Sequence, residues 1–135
     1  WRSTDSGRSW TEIDAGLPGG PASLGVDPSD SDTAFVGIQY TSSVYKTTDG
    51  GASWAPVGPG LAGTIEALSF APSRPGTVFA GSGYGVFRST DGGASWTPFN
   101  RGLLNPRVAS LAVDPAGAAL HAGTISNGVF DIPLG

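Results

Sequence analysis

The chain has 135 residues, a formal net charge of -4, no cysteine and only 13% charged side chains. That is a single-domain length without the basic stripe a nucleic-acid backbone requires, without a thiolate for disulfide, catalysis or metal, and without an apolar run long enough for a membrane span. With 22 glycines and 11 prolines, it reads as short strands joined by turns, and as a soluble chain compatible with an exported setting.

Taken in order, the chain opens on STDSGRSW (Ser3 to Trp10), then a strand expected over Trp10–Ile13. Strands follow over Ala22–Val26, Thr33–Ile38 and Val44–Thr47, and the chain reaches TTDGGASW (Thr47 to Trp54) with a strand over Trp54–Val57. The cycle then runs again: Ile65–Phe70, Val78–Gly81 and Gly85–Ser89, STDGGASW (Ser89 to Trp96), and Trp96–Phe99. A third pass gives Val108–Val113, Ala119–Gly123 and Gly128–Ile132, after which DIPLG stands where a fourth copy of the turn is due.

Asp5, Asp49 and Asp91 are 44 and 42 residues apart, and the intervening segments repeat too: ASLGVDP, EALSFAP, ASLAVDP; TAFVG, TVFAG, ALHAG. Four short strands in a period of this length are the mark of a propeller blade. The fold class is therefore all-β, a β-propeller of four-stranded antiparallel blades. We expect one domain over 1–135, with three repeats of approximately 1–44, 45–86 and 87–135.

The repeated turn has its own chemistry. Asp5, Asp49 and Asp91 can accept hydrogen bonds from N–H groups ahead of them, while Gly7, Gly51 and Gly93 supply positive φ. Ser3, Thr47 and Ser89 can satisfy the remaining turn groups, and Trp10, Trp54 and Trp96 place an apolar plate at the start of the next strand. One carboxylate per blade keeps the three far apart, against a shared metal or acid-base site. The twelve are thus read as turn fasteners, with no metal and no cofactor expected.

The pattern S/T-x-D-x-G-x-S-W after Tyr45-Lys46 and Phe87-Arg88 resembles the Asp-box (BNR) repeat of sialidases, sortilin-type receptors, xyloglucan-cleaving glycosidases and a photosystem assembly factor. The first copy departs from it, with Ser6 where the others have Gly50 and Gly92. The resemblance implies that the Asp-box turns share a face with the turns between first and second strands, and that ligands approach the opposite face. That face carries the second-to-third and fourth-to-first loops, Asp14–Pro21, Gly58–Thr64 and Arg101–Arg107 among them. Candidate ligand-face residues are Tyr40, Tyr84, Asn127, Arg101, Asn105 and Arg107.

Catalysis is not expected. A sialidase-like site requires an arginine cluster, and glycoside hydrolysis requires two facing carboxylates, for which Glu66 and Asp14 are the nearest candidates. His121 aligns with Phe35 and Phe79, so it is read as a strand residue; Arg2, Lys46 and Arg88 share one position, which Asp131 takes in the last repeat. The reading is a non-catalytic binding or scaffold module for a peptide or glycan. A lectin-like sugar binder and a section of a larger sialidase- or glycosidase-like propeller are the alternatives.

Labelled by strand, the repeats run D, ABCD, ABCD, ABC, which is three blades' worth where a closed ring takes four to eight. Two expectations follow: a section of a longer propeller, or a unit that assembles with itself. In the second, strand C of one copy pairs with strand D of the next, and a homodimer makes a six-bladed ring.

Overall fold

The computed structural model describes residues 1–103 and 107–135. Among them, three antiparallel sheets follow one another along the chain. The first joins β1 (Pro21–Asp27), β2 (Asp30–Ile38), β3 (Val44–Thr47) and β4 (Ala55–Pro56) in that order. The second joins β5 (Ile65–Phe70), β6 (Val78–Ser82), β7 (Gly85–Ser89) and β8 (Thr97–Pro98) in the same order. The third has β9 (Val108–Val113), β10 (Ala119–Thr124) and β11 (Gly128–Pro133), with β10 in the middle. Such consecutive antiparallel sheets are the blades of a propeller.

The register repeats with the sequence. Phe35 faces Lys46, Phe79 faces Arg88, and His121 faces Asp131 on the central strand pairs. Lys46 pairs with Ala55 and Arg88 with Thr97, and the same pairing recurs as an isolated bridge between Arg2 and Thr11. The segment before β1 thus repeats, within itself, the pairing of third and fourth strands.

The fourth strands differ from expectation. Only Ala55–Pro56 and Thr97–Pro98 are strand, and Trp10–Ile13 keeps the single bridge. The tryptophans stand outside the ladder, and past each proline one bond to the third strand remains, from Val57 N–H to the Val44 carbonyl and from Phe99 N–H to the Val86 carbonyl.

Side-chain alternation directs each sheet's two faces to different neighbours. Phe35, on the far face of the first sheet, meets Phe70 and Trp96 of the second blade edge-on, at 5.6 and 6.4 Å between ring centres. Around them Val44, Ile65, Val78, Ala80 and Phe87 are buried. The junction of the second and third sheets buries Phe79, Val86, Val108, Leu120, Ala122 and Ile132. The first strands β1, β5 and β9 lie side by side along the stack.

Polar latches span the junctions. Arg2 donates from Nη1 to the Gly50 carbonyl at 3.1 Å, and Lys46, one repeat on, donates to the Gly92 carbonyl at 3.0 Å. Arg88 holds the same position in the second sheet but lies over the Phe99 ring, 4.7 Å from its centre. In the third repeat, Leu134 stands in for the Asp-box. Its N–H bonds the Ala118 carbonyl at 2.9 Å, as Gly50 bonds Asp32 and Gly92 bonds Gly76, and its side chain is buried. Arg74 holds the Leu134 and Gly135 carbonyls at 2.9 and 2.8 Å.

Candidate ligand-binding face

The three Asp-box turns are built alike. Ser3, Thr47 and Ser89 donate to Oδ1 of Asp5, Asp49 and Asp91 at 2.7 to 2.8 Å, and accept from the N–H of Gly7, Gly51 and Gly93 at 2.7 to 2.9 Å. The N–H groups of Ser9, Ser53 and Ser95 donate to the same Oδ1 atoms at 2.9 Å, and their hydroxyls cap the Oδ2 atoms. Hydrogen bonds from these serines, hydroxyl first and amide second, lower each carboxyl from 3.8 to about 2. Each carboxylate is engaged by its own turn.

The second glycine does more than turn the chain. A Cβ on Gly51 would lie 2.7 Å from Ile13, and one on Gly93 would lie 2.6 Å from Phe35; both residues have φ near +90°. The turn is therefore pressed against the preceding unit, which spacing alone does not reveal. Trp54 completes that contact by donating from Nε1 to the Ile13 carbonyl at 2.6 Å. Exposure of the tryptophans falls along the chain: Trp10 is 58% exposed, Trp54 half-buried and Trp96 buried.

The Gly50–Asp32 and Gly92–Gly76 bonds tie the Asp-box turns to the turns between first and second strands, on one face. Bonds from Gln39 N–H to the Gly20 carbonyl and from Ile125 N–H to the Arg107 carbonyl tie together the other two kinds of loop. The Gly58–Thr64 loop divides between the two groups. Gly58 N–H bonds Gly93, and the Pro59 carbonyl accepts from Trp96, so its start lies against an Asp-box. Its end, Gly63 and Thr64, reaches a cleft among the opposite loops.

That cleft, of about 390 Å³, is lined by Thr64, Glu66, Tyr84, Arg107 and Ile125 between the second and third sheets. A second, of about 280 Å³, is lined by Ala22, Gln39, Tyr40, Thr64 and Glu66 between the first and second. The two meet at Thr64 and Glu66. Of the candidate residues, Tyr40, Tyr84 and Arg107 line these clefts, whereas Arg101 and Asn127 line neither; Asn105 lies outside the described residues.

Glu66, considered above only as an acid for hydrolysis, is where the clefts join, exposed on β5. Asp14 is not part of either cleft, so no carboxylate pair forms with it there. His121 lies on β10 with Nδ1 2.7 Å from Asp131, on the third sheet's outer face.

One more concavity, of about 230 Å³, opens at the start of the chain. Trp1, Trp10, Leu24, Val26 and Trp54 line it with Arg2 and Asp32, whose ion pair measures 3.3 Å.

Residues 87–98 match the BNR/Asp-box repeat, so the chain carries that repeat on a propeller fold. No curated protein matches the sequence. Among solved structures, a GH74 enzyme from Niastella koreensis is similar at 20% identity and a TM-score of 0.68, over 84% of this chain and 21% of that one. The GH74 xyloglucanase from Xanthomonas campestris is similar at 16% identity and a TM-score of 0.69, over 84% and 22%. YCF48 bound to D1 peptide is similar at 17% identity and a TM-score of 0.66, over 85% and 38%. The chain thus spans about a fifth of the GH74 enzymes' length and under two fifths of YCF48's. Among the described residues, no helix is long and apolar enough to cross a membrane.

Proposed function

We propose that this chain is a non-catalytic binding or scaffold module, taking an elongated ligand across the loops opposite the Asp-box turns. The observation that carries the reading is the pair of clefts joined at Glu66, with Tyr40 and Tyr84 presented to solvent on either side. Concave sites that combine aromatic plates with a few polar groups are the usual form of a binding site. The similarity to YCF48, solved with a peptide, supports a polypeptide ligand; the lectin-like alternative places an oligosaccharide in the same clefts. The GH74 similarity supports a different reading, a section of a glycosidase-like propeller. Peptide and glycan arrays, run beside hydrolysis assays on model glycosides, separate these. Binding without turnover is expected; turnover abolished by Glu66→Gln would overturn the proposal.

The same reading includes assembly with a second copy. Leu24 and Val26, on the first sheet's outer face, are 61% and 50% exposed, although their counterparts Leu68, Phe70, Leu111 and Val113 pack against a neighbouring sheet. Phe130–Ile132 occupies in its repeat the position of Trp1–Ser3. β11 of one copy can therefore replace Trp1–Ser3 beside Thr11 of the next, once the Arg2–Thr11 bridge opens. Repeating the contact closes a six-bladed dimer. Native mass spectrometry tests it: a folded monomer as the main species sinks the dimer and leaves the binding reading standing.

A further inference from the structure

We infer that the clefts joined at Glu66 select a basic side chain within an extended polypeptide, which enters between Tyr40 and Tyr84 and meets the carboxylate. This inference rests on the binding reading above and adds the chemistry of the ligand.

Glu66 is not part of the repeat's folding chemistry. Its counterparts on the other first strands are Ala22 and Ala109, and among the described residues its carboxylate has neither a hydrogen bond nor an ion pair. An exposed carboxylate on the strand layer shared by all three sheets, with nothing in the fold to hold, is available to a ligand.

The aromatic plates stand on constrained backbone. Tyr40 is 92% exposed and has φ of 59°, a left-handed conformation that a bulky side chain rarely takes. Bonds from Gln39 N–H to Gly20 and from Thr41 N–H to Ile38 fix the loop around it. Backbone strain of this kind collects at binding sites. Tyr84 is 67% exposed, its N–H donates to Ser82 Oγ at 3.0 Å, and its ring lies so close to Gly63 that a Cβ there would be 2.7 Å from Cδ2. The Tyr84 ring is thus positioned without being buried, while Tyr40 is set by its backbone alone.

The charge pattern chooses among ligands. The Tyr40 cleft is lined by Ala22, Gln39, Tyr40, Thr64 and Glu66, with no cation, so one π face and a carboxylate act together on a bound ammonium or guanidinium. On the far side of Glu66, the Tyr84 cleft contains Arg107, which repels a second cation and accepts an acidic or carbonyl group. A neutral glycan would stack on the tyrosines and could hydrogen-bond Glu66 and Arg107 through its hydroxyls, but it brings no charge to neutralise either of them. A polypeptide that carries a basic residue, followed by an acidic or polar one, uses all four side chains.

The test is an NMR titration of the ¹⁵N-labelled chain with two end-capped peptides, Gly-Ser-Lys-Ser-Glu-Gly and its norleucine analogue, and with cellohexaose. The lysine peptide should move the amides of Tyr40, Glu66 and Tyr84 and bind about tenfold more tightly than the analogue. Glu66→Gln should erase that difference without changing the melting temperature, since the carboxylate holds nothing in the fold. Equal binding of the two peptides, a lysine preference that survives Glu66→Gln, or tighter binding of cellohexaose overturns this inference alone. Silence of the loop amides toward all three probes overturns the binding reading with it.

Discussion

The outer faces of the first and third sheets occupy the two ends of one repeat series, yet they are chemically unlike. On the first, Leu24, Val26, Trp1 and Trp10 leave apolar surface in water. On the third, the Phe and cation found at the inner junctions become His121 and Asp131, bonded to each other and partly exposed. A face that presents Leu24 and Val26 is made for burial; one that sets a histidine–carboxylate pair beside Val129, 72% exposed where its counterparts Val44 and Val86 are buried, gains apolar contact but loses hydration when covered. Repeat equivalence therefore predicts where a side chain lies and not what its surroundings are.

The largest expected contrast is at one repeat position. Phe35→Ala should cost about 3–5 kcal/mol in urea unfolding, because it empties the junction with Phe70 and Trp96, whereas His121→Ala should stay within about 0.5 kcal/mol. Equal losses would mean that His121 is as buried in solution as Phe35.

Next come the turns. Gly93→Ala should cost about 1–3 kcal/mol, from positive φ and the collision with Phe35. Gly7→Ala, whose Cβ would meet nothing nearer than Trp10 at 3.8 Å, should cost about 1 kcal/mol or less. Differential scanning calorimetry of the two variants checks the order.

Restoring the inner-junction chemistry at the end sharpens the comparison further. The double variant His121→Phe, Asp131→Lys should strengthen self-association by about tenfold in sedimentation velocity, roughly 1.4 kcal/mol. Adding Leu24→Ser and Val26→Ser should remove the gain; if it does not, the two faces are not partners.

The smallest difference is expected in acid, where the three turns are alike. Their carboxyls titrate near 2 when folded against 3.8 when free, so the stabilisation is complete above about pH 4 and is lost as the pH falls toward 2. Asp5→Asn, Asp49→Asn and Asp91→Asn should each flatten the fall of Tm between pH 4 and 2. A variant that leaves the slope unchanged would show that its turn is already open.

The three repeats and most strand bounds were legible in the sequence, since hydrophobic alternation and turn residues are local signals: β3, β5, β7 and β9 lie where the pattern puts them. The fourth strands were overread, because the tryptophans look like strand residues, whereas Trp54 and Trp96 in fact pack against the preceding unit. The loop face was legible as a set of exposed residues. What was hidden is contact between repeats: the division of Gly58–Thr64 between two faces, the pressing of Gly51 on Ile13, and the joining of the Tyr40 and Tyr84 clefts at Thr64 and Glu66. Each depends on how far one unit turns relative to the next, which no residue encodes by itself.

Leu134 sits in the place of an Asp-box glycine, on the side of the molecule away from the tyrosines. A tether attached beyond Gly135 through a short linker would leave from that side. Anchored so on a sensor chip, the protein would turn its clefts outward, whereas coupling through Lys46, its one lysine, would disturb a junction latch.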